Sequence, residues 1–351
     1  NERDHVMNRN ITVGVIGCGK IAHVDHVPNL LGVKGVSIVG LYDIFPKKMK
    51  ILNETFALGA TEHASFDSLL DSSLDAVIVS TPNSLHYPQT MTALKAGCHV
   101  LCEKPMAATS AECTRMINAA KKAGRILHIN QTLHYLPAYI TLADAVAKGR
   151  IGEVKHVRCL RFHNSSPDIG WSLGAKWFVS KSFAGGIVLD IGVHMADMLK
   201  WIAGPVSEIA AFTDTRNPEI DVLDNARALL RFDSGATGTL ELSWTSATNS
   251  GLIEVYGAKG TLRMGFAPDG KMELYKVGKR SHEPIVTYPE PAKKSRTSQQ
   301  AFVEALLGKS PSPTPGELGR DAVALCEAIM KSGEAKKYVK VKRFTSPAAR
   351  L

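Results

Sequence analysis

The chain has 351 residues, enough for two domains with separate cores and too many for one ordinary domain. A hydrophobic content of 44% with 21% charged residues is that of a globular protein, and no run of about 18 apolar residues predicts a membrane span. The formal charge is +9, but the basic residues are dispersed in short groups such as Lys47-Lys48 and Lys336-Lys337 without interleaved aromatics, which excludes a nucleic-acid partner and favours anionic small molecules.

Residues 1–10, NERDHVMNRN, lack an apolar signal core and are expected to be a leader or loose terminus. Ile11 to Ala22, ITVGVIGCGKIA, reads as a buried parallel strand that stops at Gly17 and turns into a helix. Gly17 and Gly19 supply the G-x-G of a dinucleotide-binding turn, with Ala22 in the third position and Lys20 and Ile21 opening the helix. Asp43 ends the next apolar strand, 24 residues after Gly19, close to the spacing of an acid that binds ribose hydroxyls. From Ile11 to about Gln131 the strands ITVGVIG, VSIVGLYD, DAVIVSTP, HVLCEKP and RILHIN alternate with helical segments, with a short turn region near Ala60. That alternation predicts a doubly wound parallel sheet, an α/β Rossmann domain over 11–135. Ligands on such a sheet sit beyond the carboxyl ends of the strands. The segments to inspect are therefore Gly17 to Ile21, Asp43, Thr81-Pro82-Asn83 to His86, Glu103-Lys104-Pro105 and Gln131.

After Pro137 the pattern changes to a helix and then long alternating strands with turn signals such as Asp233-Ser234-Gly235. Residues 136–345 are expected to form an α+β domain with a large open, mainly antiparallel sheet, which binds substrate and pairs with another copy in a homo-oligomer. The six cysteines form no C-x-x-C pair and lie in apolar patterns, so free buried thiols in a reducing, cytoplasmic compartment are expected. No cluster has metal-ligand spacing, and no metal is expected.

Two segments can carry chemistry. Lys104 follows a buried strand, where a lysine can donate to a substrate hydroxyl. Asp190 and His194 stand four residues apart on a helix that follows Gly185-Gly186, so a carboxylate and an imidazole share one face. A helix-surface Asp and His pair with structural hydrogen bonds is the bland alternative at this spacing.

With these motifs in place, the chain resembles the Gfo/Idh/MocA oxidoreductases, the family of glucose-fructose oxidoreductase and inositol dehydrogenase. The resemblance rests on G-x-G-x-x-A at Gly17 to Ala22, Asp43, STPNSLH at Ser80 to His86, EKP at Glu103 to Pro105, the run GG-x-x-x-D-x-G-x-H at Gly185 to His194, and GELGRDAVALCEAIMKS near the end. It implies that Lys104, Asp190 and His194 form a catalytic set, the histidine as acid or base and the other two orienting the reacting hydroxyl. It implies NAD as cofactor, with Asp43 on the adenosine ribose and Thr81, Pro82, Asn83, His86, Glu103 and Lys104 around the nicotinamide ribose; Lys47 and Lys48 leave NADP open. The implied substrate is a sugar, sugar derivative or cyclitol. His163, Trp171 and Trp177 precede the Asp190–His194 helix, where aromatic faces can line a sugar pocket, with ordinary core packing the equal alternative for the tryptophans. Many members carry an arginine where this chain has His134, three residues before Pro137. Two other functions share the fold: a redox-neutral NAD-dependent glycosidase, distinguished by hydrolysis without net NADH, and a non-catalytic NAD-binding sensor, which needs no proton-transfer set.

Overall fold

The computed structural model describes residues 10–265, 271–277, 284–292 and 296–344. The segment expected to be a leader lies outside the described residues, apart from Asn10. The chain divides into two units, the first ending at Gln131 and taking back Arg296–Arg320, the second starting at Thr132 and resuming at Asp321.

The first unit is built on six parallel strands, β1 (Ile11–Ile16), β2 (Val36–Tyr42), β3 (Thr61–Glu62), β4 (Ala76–Val79), β5 (His99–Cys102) and β6 (Leu127–Ile129). Their order is β3-β2-β1-β4-β5-β6, the doubly wound arrangement, and it reverses beside β1, so the ligand crevice lies beyond the carboxyl ends of β1 and β4. β1 and β4 are buried almost throughout, as a sheet covered on both faces requires.

Several local features differ from expectation. The region near Ala60 is not only a turn: Thr61 and Glu62 pair with Gly40 and Leu41 as an edge strand too short for alternation to show. A one-turn helix, Phe66–Leu70, follows, capped by Ser65, whose Oγ accepts from the Ser68 amide at 3.1 Å. The first helix begins at Lys20 and widens into a π-turn, Ala22–His26, before Val27–Leu31. Pro28 lacks an amide hydrogen for the i−4 carbonyl, and the widened turn immediately before it absorbs that break.

The core of this unit joins Val13, Val15, Leu30, Leu41, Leu52 and Ile78 to Phe302 and Val303, which arrive from far along the chain. His128 in β6, fully buried, is within 2.9–3.1 Å of the hydroxyls of Ser298, Ser312 and Thr314. Burial, reinforced by the Arg296 charge, pushes its imidazole down to about 3. The single second domain expected over 136–345 is thus interrupted. Residues 296–320 belong to the first unit because their apolar face and hydroxyls complete its core.

The second unit carries a nine-stranded sheet in the order β14-β13-β12-β11-β7-β10-β9-β8-β15. Its strands are β7 (Val154–Phe162), β8 (Val206–Asp214), β9 (Asn225–Phe232), β10 (Thr237–Ser243), β11 (Ser250–Gly257), β12 (Gly260–Gly265), β13 (Met272–Val277), β14 (Pro284–Thr287) and β15 (Val339–Lys340). β7 and β10 run parallel and the remaining pairs are antiparallel. One face buries Val157, Cys159, Leu230, Leu240, Leu242, Ile253, Val255 and Leu262. Across the other, register places Glu273, Arg263, Glu254, Arg158, Thr239 and Leu229 in one row, and Arg158 and Arg263 pair with Glu254 at 3.7 and 3.5 Å.

The segment Lys181–Ala203 is apolar enough to cross a bilayer, but the turn at Gly185-Gly186 breaks its helix and 67% of its apolar window is buried inside the protein. All six cysteines are free and buried.

Candidate active site

β1 ends at Ile16, and the Gly17 amide donates to the Tyr42 carbonyl at 2.8 Å. Gly17 has φ +86°, and a Cβ there would stand 2.5 Å from the Ser80 carbonyl oxygen, so only glycine lets this turn lie against the end of β4. Ser80 Oγ closes the contact, its single hydrogen shared between the carbonyls of Ile16 and Gly17 at 3.0 and 2.8 Å. At Gly19 the situation is opposite: a Cβ would meet nothing within 4 Å among the described residues, and the helix begins at the next residue, Lys20, followed by Ile21. Exposed amides at a helix start facing open space suit a pyrophosphate.

Asp43 is held by two backbone donors, Cys18 N–H to Oδ2 and Phe45 N–H to Oδ1, both at 2.9 Å. Each oxygen keeps a lone pair for a ribose hydroxyl. Burial and the Asp43 charge push the neighbouring Cys18 thiol up to about 12, so it stays protonated and inert. Lys48 lies over the Phe45 ring, 4.8 Å from its centroid. Gln131, 1% exposed, has both amide atoms without a hydrogen bond among the described residues, a buried polar group suited to a ligand. These residues fit a dinucleotide.

Beyond β4, Thr81 Oγ1 donates to Gln89 Oε1 at 2.5 Å, Pro82 precedes the helix Asn83–Lys95, and Asn83 is buried. His86 is also buried, with its ring nitrogens 2.7 and 2.8 Å from the carbonyls of Pro105 and Thr81. Burial pushes its imidazole down while the two carbonyls pull the other way. His86 therefore ties the segment after β4 to the segment after β5 rather than offering a nitrogen outward.

After β5, Glu103 is 6% exposed and stands at the centre of a buried network the sequence reading did not foresee. Its Oε1 accepts from His26 Nε2 at 2.9 Å and Asn130 Nδ2 at 2.7 Å, and its Oε2 accepts from the Lys104 amide at 3.0 Å. Burial pushes the Glu103 carboxyl up, but the His26 hydrogen bond, then the Lys104 charge and the Asn130 hydrogen bond, pull it down and hold it below the usual carboxylate range. Asp25 Oδ2 accepts from Asn130 and Gln299, and Oδ1 from Asn29. Asp25, His26 and Glu103 present atoms within 4.8 Å of one another, near enough to share a cation, but amide and imidazole hydrogens already fill those positions.

In the second unit, Gly185 and Gly186 allow a tight turn before the helix: a Cβ on Gly185 would stand 2.3 Å from the Phe178 carbonyl oxygen, and Gly186 has φ +103°. The Ile187 amide donates to Leu223 O at 2.8 Å, and a π-turn, Val188–Gly192, runs into the helix Val193–Ala203. Asp190, 5% exposed, lies in the π-turn, and His194 lies in the first turn after it. The expected regular α-helix is widened at the candidate carboxylate, where π-turns often occur in functional sites.

His163 Nε2 accepts from Arg161 Nε at 3.1 Å, so the imidazole is neutral at that nitrogen. Burial and the Arg161 charge push it down, while the Asp190 carboxylate pulls it up, which places His163 and Asp190 within electrostatic reach. Trp177 is half-buried and stacks on Phe178, and Trp171 is exposed. His134 stacks on Trp201 with centroids 4.1 Å apart and meets Asp197 at 2.8 Å, one turn beyond His194. It anchors the helix that carries His194.

Comparison with known proteins identifies the family of both units. Residues 11–131 match the family described as "Oxidoreductase family, NAD-binding Rossmann fold", and residues 139–263 match the "GFO/IDH/MocA C-terminal domain". The chain is 30% identical to 1,5-anhydro-D-fructose reductase of Ensifer adhaerens over 91% of this chain and 95% of that protein. It is 27% identical to myo-inositol 2-dehydrogenase of Thermotoga maritima, over 94% and 98%. The WlbA dehydrogenase of Bordetella pertussis, solved with NADH and UDP-GlcNAcA, shares 26% identity and superposes with a TM-score of 0.82, covering 96% of this chain and all of that one.

Proposed function

The chain belongs to the GFO/IDH/MocA oxidoreductases, and from that membership we propose that it moves a hydride between NAD and a secondary alcohol of a sugar, sugar derivative or cyclitol. The observation that carries the reading is the buried Asp190 one turn before His194, on a helix opened by a double glycine. The names of the two curated relatives support the substrate class.

Bound NAD supplies the hydride acceptor or donor, held by the Gly17–Ile21 turn, Asp43, the Thr81–Asn83 segment and Gln131. His194 takes the proton of the reacting hydroxyl as the carbinol carbon loses hydride, and returns it in the reverse direction. Asp190 orients the hydroxyl and the imidazole, and the Lys104 ammonium donates to the same oxygen, countering charge that develops there. His163 and Trp177 line the substrate side. The test is NADH absorbance with purified protein, NAD and a panel of sugars, sugar acids and inositols, with NADP in parallel. Turnover of one polyol is the expected result; silence across the panel from protein shown to bind NADH overturns the proposal.

The outer face of the second unit's sheet suits a second copy of this chain. Phe212 and Leu229 are 83% and 58% exposed there beside interleaved arginines and glutamates, a surface that can pair with itself by symmetry. The double variant Phe212→Glu/Leu229→Glu is expected to lower the molar mass measured by light scattering to that of one chain. A wild-type protein already monomeric at micromolar concentration rules this pairing out.

A further inference from the structure

The mechanism above leaves unused a closed chain of hydrogen bonds beneath the Glu103-Lys104 segment. Its remotest member is Gln299, in the helix Ser298–Leu306, some 270 positions after the residues it contacts. Gln299 Nε2 lies 2.9 Å from Asp25 Oδ2 and 3.0 Å from His26 Nδ1. All of these side chains except that of Asp25 are fully or almost fully buried.

Donor counting leaves one solution. Asp25 already accepts from the Asn29 and Asn130 amides, so it selects the NH2 end of the Gln299 amide as well; the second hydrogen of that NH2 then points at His26 Nδ1, which must be the lone-pair nitrogen. The imidazole proton is thereby assigned to Nε2, where it donates to Glu103 Oε1 at 2.9 Å. Asn130 uses both of its amide hydrogens in the same way, on Asp25 Oδ2 at 3.0 Å and Glu103 Oε1 at 2.7 Å. The carbonyl oxygens of Gln299 and Asn130 are left buried without a hydrogen bond among the described residues, the cost of turning every donor toward the two carboxylates. Glu103 then receives the Lys104 amide on its other oxygen.

We propose that Gln299 is a positioning residue: by fixing the Nε2–H tautomer of His26 it locks the Glu103 carboxylate and, through the Lys104 amide, the backbone of the lysine that meets the reacting hydroxyl. The inference rests on the proposed role of Lys104. It assigns to the returning helix a function in catalysis besides its apolar packing, transmitted through three side chains and no contact with substrate.

Long-range nitrogen NMR of the wild-type imidazoles, compared with a His26→Gln variant to assign the signal, is expected to show His26 protonated at Nε2 and bare at Nδ1; the opposite tautomer overturns the proposal without any activity measurement. Gln299→Met keeps the volume and removes both donors. It is expected to lose the single-tautomer signal and to lower kcat about tenfold on the polyol identified in the panel, with NADH affinity, read by fluorescence, within about twofold of wild type. Restoring the donors with Gln299→Asn is expected to recover part of kcat. A Gln299→Met protein with unchanged kcat and only a lower melting temperature shows a structural role alone and overturns the inference. Lys104→Ala, run beside it, separates the two readings: if that variant keeps full turnover, the role of Lys104 falls, and if it is inactive while Gln299→Met is normal, only the positioning role falls.

Discussion

His194→Ala is expected to lower kcat by about 10²- to 10⁴-fold, the range contributed by a positioned general acid or base, while NADH affinity stays within about twofold. The reason for the separation lies in where the residue is held. His194 sits in the second unit, in the turn following the Val188–Gly192 π-turn, whereas the Gly17–Ile21 turn and Asp43 belong to the first. Removing the imbalance of a missing proton acceptor by raising pH, or by adding free imidazole, is expected to restore some turnover, because the hydroxyl proton then has another destination. Folding is not at issue at this position: His194 is only half-buried, and its helix is held by Leu199, Ile202 and the His134–Asp197 pair. Melting curves and steady-state kinetics on the same preparation check both points. Full turnover in His194→Ala eliminates the proposed chemistry, and a parallel loss of NADH binding shows a role in the cofactor site instead.

Gly17→Ala is expected to damage both fold and cofactor binding. Its φ of +86° costs an L-residue about 1–2 kcal/mol, and the added carbon would lie 2.5 Å from a backbone oxygen of Ser80 and 2.9 Å from the Thr81 amide nitrogen. Neither can swing aside as a side chain could, so the end of β4 must shift and the Ser80 hydroxyl must give up its two carbonyl partners. A fall of several degrees in melting temperature follows from roughly 2–4 °C per kcal/mol for a unit of this size, with NADH affinity reduced at least about tenfold as the amides lose their alignment. Gly19→Ala is the informative contrast. Its added carbon meets no atom of the described residues within 4 Å, so stability is expected to be unchanged while NADH binding weakens. If Gly17→Ala melts like wild type, or Gly19→Ala binds NADH as tightly as wild type, the turn does not hold the pyrophosphate as described.

The strand from Ile11 to Ile16, its glycine turn, Asp43 at the end of β2 and the spacing of Asp190 and His194 are legible in the sequence because each is encoded within one strand, one turn or one helix. What escapes is set by partners distant in the chain. Gln299 reads as an ordinary polar position in an amphipathic helix until Asp25 and His26 are seen beside it. The role of His26 is hidden for the same reason, and His134 reads as an unexplained replacement until Asp197 and Trp201 enclose it. The two π-turns leave no periodic trace because each widens only five residues. β3 has two residues, below the length at which alternation carries information.

The return of residues 296–320 to the first unit constrains how the protein is born on the ribosome. When Gln131 has emerged, all six strands of the dinucleotide-binding sheet exist, yet Phe302 and Val303 are missing from its core and His128 lacks the three hydroxyls that surround it. Every strand of the larger sheet except β15 is translated before those residues appear. The unit begun first is therefore finished late, and its nascent form waits with an apolar gap through the synthesis of more than a hundred further residues. A recombinant fragment cut at Gln131 reproduces that waiting intermediate rather than the mature unit, and a free-standing version requires the 296–320 segment to be spliced back onto it.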